Sequence, residues 1–411
     1  MRNRFILSAA LLLAALPLWG QLPRSAEFHE KYRLDEVVIF SRHNVRAPLT
    51  GKGSSLDSLT DHKWIEWTAP KSELTLGGGA LETLNGQFFR QWVCSEGLLP
   101  HNARPSADEV LFYANSKQRT IATSRYFLAG FLPVSAIGVT WEGEFDKMNP
   151  MFDLSFHGIT KKFRRQIDSE LTRIYGKDGL RRLSESLEPN YRLLAEVLDS
   201  RNSFSNHDLH LVLEEGDEPR ADASLNDALQ AADALLLQYY EQPDSLAATF
   251  GHPLSRQQWR DIVRIKDECD HLRFAAPCLY EPLAAKIFRF ISSELRNESR
   301  RFTFICGHDT NIVCMLNALG VRHYEAPEAI EIHTPIGSKI VFEKWLGADG
   351  KRYIALNHVY QRVDQLRYRK QLTLDNPPMV LSLALESLEA NADGLYPYEE
   401  FMALLDRICA K

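Results

Sequence analysis

Three short apolar runs recur along the chain, each followed by a polar turn and then by residues at helical spacing. The first, DEVVIF at residues 35–40, is rich in β-branched side chains and runs into SRHNVRAP at 41–48. Past a loop holding KWIEW, Leu81, Leu84, Phe88 and Trp92 repeat at helical spacing until Gly97 stops them. The second run, VLFYA at 110–114, precedes Ile121, Leu128 and Leu132, a stripe that Asn115 or Ser116 should cap and Pro133 should end. The third lies in RFTFICGHDTN at 301–311, where a strand reaches Cys306 and Ile312, Leu316 and Leu319 follow before Gly320. Runs without polar alternation need cover on both faces, and alternation with helices supplies it when the strands lie mostly parallel. The chain is therefore expected to be α/β, with a mostly parallel sheet flanked by helices. KIVFEKW at 339–345 and RYIALNHVY at 352–360 bracket Asp349-Gly350, a hairpin signal that would add antiparallel strands to that sheet.

Between residues 145 and 261 the strand signals fade and amphipathic stripes replace them, as in Leu225, Leu229, Ala232 and Leu236. The expected organisation is an α/β domain from 21–144 and 262–411 with an inserted, smaller α-helical domain at 145–261. Residues 1–20 read differently: Arg2 and Arg4 precede an apolar run from Phe5 to Leu18, broken only by Ser8 and Pro17, and Gly20 follows. That is the pattern of a secretory signal peptide, too short to span a bilayer, so a periplasmic or secreted protein without a membrane anchor is expected. The formal net charge of −6 argues against nonspecific attraction to nucleic acid or anionic membranes. Export would place the six cysteines in an oxidising medium. Cys269 and Cys278 are the nearest to a local pair, while Cys306 and Cys314 sit in patterns that suit buried thiols. No CxxC or HExxH signature occurs, and no metal or other cofactor is expected.

Ligands of open α/β sheets bind outside the carboxyl ends of the strands. Here those ends carry Arg42, His43 and Arg46, then Arg119, then His308 and Asp309. Three guanidinium forks in an acidic protein call for an anion, and their geometry matches the tetrahedral oxygens of a phosphate monoester. Neighbouring positive charge should keep His43 neutral, with a ring nitrogen free to attack phosphorus. The arginines and His308 would stabilise charge on the phosphoryl oxygens. Asp309, its pKa raised beside a bound dianion, would stay protonated and supply the leaving group.

Singly, an arginine at a strand end or an HD pair has ordinary structural uses. Joined as RHxxRxP after an apolar strand, with HD near the C-terminus, the chain resembles the histidine acid phosphatase family of the phosphoglycerate mutase-like superfamily. The usual motif has Gly where this chain has Asn44, and RHNVRAP is similar to the glucose-1-phosphatase branch, as are YANSKQRTIAT, MNPMF, LQYYE, TPIGSKIVF and VYQRVDQLR. The resemblance implies phosphate binding by Arg42, Arg46, Arg119 and His308, His43 as nucleophile and Asp309 as proton donor. It also matches Glu241 to a glutamate that faces the leaving sugar from the helical domain. Such a carboxylate would repel the extra phosphates of inositol hexakisphosphate (phytate), so hydrolysis of glucose 1-phosphate and related sugar phosphates is expected ahead of phytase or broad acid phosphatase activity. Leu388 and Tyr396 stand where similar enzymes carry a local cysteine pair, so no disulfide scheme transfers.

Two other classes share some of these residues. A phosphomutase would use the same histidine but serves cytoplasmic metabolism, against the signal peptide. A phosphosugar-binding protein needs the arginines but not both His43 and Asp309. Phosphate release from p-nitrophenyl phosphate separates all three.

Overall fold

The structure, a computed structural model, describes residues 22–49, 55–200, 204 and 209–411. The expected signal peptide lies outside them. Eight strands form one sheet: β1 (Tyr32–Arg42), β2 (Val110–Ala114), β3 (Val139–Thr140), β6 (Phe302–Gly307), β7 (Lys339–Gly347), β8 (Arg352–Tyr360), β9 (Met379–Ser382) and β10 (Tyr396–Pro397). A separate two-stranded piece pairs β4 (Leu211–Val212) with β5 (Arg220–Ala221). The order β10-β8-β7-β1-β6-β2-β3 puts the parallel strands β1, β6, β2 and β3 side by side, with β9 also pairing β8. β7 and β8 form the expected hairpin and join β1 antiparallel.

The lack of polar alternation in β1 now has its cause. Val38 and Phe40 enter one core with Ile305, while Val37 and Ile39 enter another with Phe112, Phe302 and Phe304. All four β1 residues are fully buried, and each such side chain contributes about 1.5–3 kcal/mol. The second core is closed by helices Leu76–Ser95 and Gln118–Phe131, the first by Pro277–Leu295, Asp309–Leu319 and Tyr398–Cys409.

A third core is mainly helical, drawing on Lys161–Tyr175, Gly179–Val197, Ala223–Glu241 and Arg256–Arg273. The domain boundary expected between 261 and 262 falls inside the last of these helices. Ser255 and Gln258 form a capping box at its start, and its stripe Trp259, Ile262, Val263, Ile265, Cys269 and Leu272 is continuous within this core. Among the described residues no helix is long and apolar enough to cross a membrane. All six cysteines are free thiols, with Cys269, Cys306 and Cys314 buried. Where the resemblance places a cysteine pair, the buried Tyr396 hydroxyl instead donates to Leu383 O and accepts from Leu385 N, both at 3.0 Å.

Candidate active site

Parallel pairing levels the strand ends: Arg42 lies opposite Gly307, and Ala114 opposite Cys306. The residues immediately beyond, His43, Asn115 and His308, therefore emerge at one edge of the sheet. His43 N donates to Gly307 O at 3.1 Å, and the His43 and His308 rings stand 5.5 Å apart.

The tautomer of His43 follows from its partner. Its Nδ1 is 2.9 Å from Asn44 O, and a carbonyl oxygen only accepts, so Nδ1 carries the proton and Nε2 the lone pair. Burial, then Arg119, Arg46, His308 and Arg42, hold the ring well below the ordinary histidine range, so it stays neutral. The carbonyl is itself held. Asn44 Oδ1 accepts from Val45 N at 2.9 Å, and Nδ2 donates to Glu82 Oε2 at 2.8 Å. Glu82 in turn pairs with buried Lys339 at 2.8 Å. Two glycines make room for this footing. A Cβ on Gly78 would lie 2.1 Å from Val45 O, and one on Gly337, whose φ is +67°, would lie 2.6 Å from Asn44 Nδ2.

The opposite pairing sets His308. Asn115 Oδ1 accepts from Asn149 N at 3.0 Å, which points its Nδ2 at His308 Nε2, 2.7 Å away. His308 Nε2 is thus an acceptor and its proton sits on Nδ1. Arg119 Nη2 lies 3.4 Å from that Nδ1. Two donors cannot bond each other, so they converge on a shared acceptor. Asn115, expected as a helix cap, is occupied here instead; the cap of Gln118–Phe131 is Lys117, with no side-chain bond to the helix.

Arg42 donates to Thr334 O at 2.5 Å and pairs with Asp309 at 3.1 Å, while Arg46 pairs with Asp233 at 3.0 Å. The Nε atoms of Arg42, Arg46 and Arg119 are buried without a hydrogen bond inside the protein. An unmet buried donor costs about 1–3 kcal/mol, and an anion's oxygens would meet it. Burial and Arg46 also bring the Arg119 guanidinium down to about 10.

Asp309 departs from the expectation of a protonated acid. Burial alone would push its carboxyl up, but Lys266 at 2.9 Å and Arg42 at 3.1 Å hold it well below the usual range. In the free protein it is a carboxylate. Lys266 had no signal in the sequence beyond an i,i+4 pairing with Asp270, since a charge in VRIKDECD reads as a solvated helix face.

His43, Arg46, Arg119, His308 and Asp309 line one cavity of about 600 Å³, and Arg42 lies beneath it. Glu241 does not join them. Its carboxylate is bound by the Thr75 hydroxyl and, at 3.0 Å, by Arg369, and it borders a separate depression with Trp67 and Gln242. It stands eight residues beyond Asp233 on the same helix, about 12 Å along the axis. The carboxylates that do face the cavity away from the histidines are Asp217, Glu218, Asp233 and Asp270.

The sequence profile of the histidine phosphatase superfamily (branch 2) matches residues 33–158. Glucose-1-phosphatase of Providencia rettgeri is 30% identical over 415 residues, covering 97% of this chain and 96% of the relative. The chain belongs to the histidine phosphatase superfamily. This phosphatase is similar, at 27% identity, to Phytase AppA of Escherichia coli, with 97% of the chain and 98% of the relative covered. Among solved structures, Hafnia alvei phytase in complex with tartrate superposes with a TM-score of 0.83 at 26% identity, covering 92% of this chain and 98% of that one.

Proposed function

We propose that this histidine phosphatase is an exported acid phosphomonoesterase that acts through a phosphohistidine on glucose 1-phosphate and related sugar phosphates. The observation that carries the reading is the neutral His43, its Nε2 lone pair set among three arginines with unused buried donors. Nε2 attacks phosphorus and the bond to the ester oxygen breaks. Arg42, Arg46, Arg119 and the Nδ1 proton of His308 take the charge on the phosphoryl oxygens. The leaving alkoxide needs a proton that Asp309 does not hold in the free protein. The substrate monoanion, which prevails below about pH 6, brings one in, and Asp309 beside the ester oxygen passes it on. Water then attacks the phosphohistidine, with Asp309 as base, and releases inorganic phosphate.

Substrate choice rests on the outer wall of the cavity. Arg273 is already bound to Glu218 at 2.8 Å and to Asp270 at 3.3 Å, and Arg220 to Glu214 at 2.6 Å. With Asp217 and Asp233 added, that wall offers hydroxyl acceptors and little uncommitted positive charge, which suits a sugar better than a polyphosphate. The similarity to phytases supports slow phytate hydrolysis as a second activity. The basic and apolar start of the chain supports export.

The test is phosphate release from glucose 1-phosphate and phytate in parallel, at mildly acidic pH with EDTA present, by wild type and His43→Ala. A strong preference for the sugar phosphate and silence in His43→Ala are expected. Preference for phytate would reassign the substrate, and full activity in His43→Ala would remove the mechanism.

A further inference from the structure

Lys266 is 4% exposed and stands on the Arg256–Arg273 helix, with its ammonium at the wall of the catalytic cavity. Two carboxylates share it: Asp270 Oδ2 at 2.6 Å and Asp309 Oδ2 at 2.9 Å. Arg42 reaches the same Asp309 oxygen at 3.1 Å, while Asp309 Oδ1 accepts from Thr310 N at 3.0 Å. The two cations differ in what else they can do. Arg42 lies among the phosphate-binding arginines and will turn its donors to a phosphoryl group. Lys266 is tethered by Asp270, which Arg273 also holds at 3.3 Å, so it stays on Asp309 through the cycle.

We propose that Lys266 is a positioning residue for the second half of the reaction, holding Asp309 as the base that takes a proton from the attacking water. This rests on the phosphohistidine reading above. In that step the water oxygen bonds to phosphorus and the P–Nε2 bond breaks, its electron pair returning to His43. The water proton passes to Asp309 Oδ2, and phosphate leaves.

The charges around Asp309 make the sign of the effect clear. Lys266 faces it from the Arg256–Arg273 helix, Arg42 and His43 from the end of β1, and Arg119 and Glu218 act at longer range. Asp270, Asp267 and Arg42 face Lys266. Loss of a cation at contact distance raises a carboxyl by about one to three pKa units, so a base at mildly acidic pH is partly lost while an acid is gained.

Rapid-quench kinetics on p-nitrophenyl phosphate, whose leaving group needs little protonation, isolates the second step. Lys266→Gln should slow dephosphorylation about 10-fold or more, let acid-labile phosphoenzyme accumulate, and move the acidic limb of kcat up by about one unit. Lys266→Arg should restore both. Asp270→Asn, which leaves Lys266 to Asp309 alone, should move the limb down, and a merely structural role cannot produce shifts of opposite sign. Equal slowing of both steps with an unmoved limb in Lys266→Gln overturns the proposal. If that variant does not fold, an unmoved limb in Asp270→Asn overturns it. Absence of phosphoenzyme in wild type fails the underlying reading instead, and that arm is scored before any variant.

Discussion

Replacing Lys339 by Met should loosen the nucleophile from beneath, without altering any side chain that lines the cavity. Lys339 is 1% exposed and Glu82 and Asn44 are fully buried, so water cannot compensate a lost partner. The ammonium lies 2.8 Å from Glu82 Oε1 and donates to Gly337 O at 2.8 Å. Without it, the Glu82 carboxylate keeps only the amides of Asn44 at 2.8 Å and Asn85 at 3.3 Å. A buried charge stripped of its counter-ion costs about 3–5 kcal/mol. Lys339→Met/Glu82→Gln removes the charge but keeps an acceptor for Asn44, so the double variant should recover about 2 kcal/mol or more of that loss. Urea unfolding at neutral pH reads both from the midpoints and a shared slope. Because Asn44 O fixes the His43 tautomer, kcat on p-nitrophenyl phosphate should fall about 10-fold in the single variant, which corresponds to only about 1.4 kcal/mol of misplacement. If the double variant is as unstable as the single one, an uncompensated Glu82 charge is not what the lysine prevents, and the reasoning fails.

Glu241→Gln should leave the ratio of kcat/KM for glucose 1-phosphate to that for phytate within about twofold of wild type, since its carboxylate serves Thr75 and Arg369 outside the cavity; a collapse of that ratio would return Glu241 to the substrate. His358 is fully buried with neither ring nitrogen bonded, and burial, then His333, pull it from 6.5 down to about 3. Between those values the unfolded chain binds a proton that the folded protein refuses, so stability falls as pH drops from 6.5 towards 3. His358→Phe should remove that slope, gaining about 2 kcal/mol relative to wild type at pH 5 compared with pH 7; parallel unfolding curves at the two pH values would contradict it.

The strand-end motifs were legible because emergence at a sheet edge is nearly local. An apolar run sets the direction of its strand, and whatever follows it must leave the core, which places Arg42, His43, His308 and Asp309 from their neighbours alone. The same holds for the hairpin around Asp349-Gly350. Asn115 went the other way: its capping propensity is real, but His308, 193 positions distant in sequence, offers a buried acceptor that the helix end cannot match. Glu241 was placed by motif likeness, and one helix carries it too far along its axis to reach the cavity that Asp233 faces.

Residue order by itself determined which groups are available: a phosphate-binding set of arginines, a histidine nucleophile, a carboxyl group beside the second histidine, and a parallel sheet to align them. Tertiary structure decided their states. Both histidine tautomers come from single oxygen or amide neighbours, and the charge on Asp309 comes from a lysine 43 residues away on another helix. Coulombic coupling depends on separation and on exclusion of water, and neither quantity exists until the helices pack.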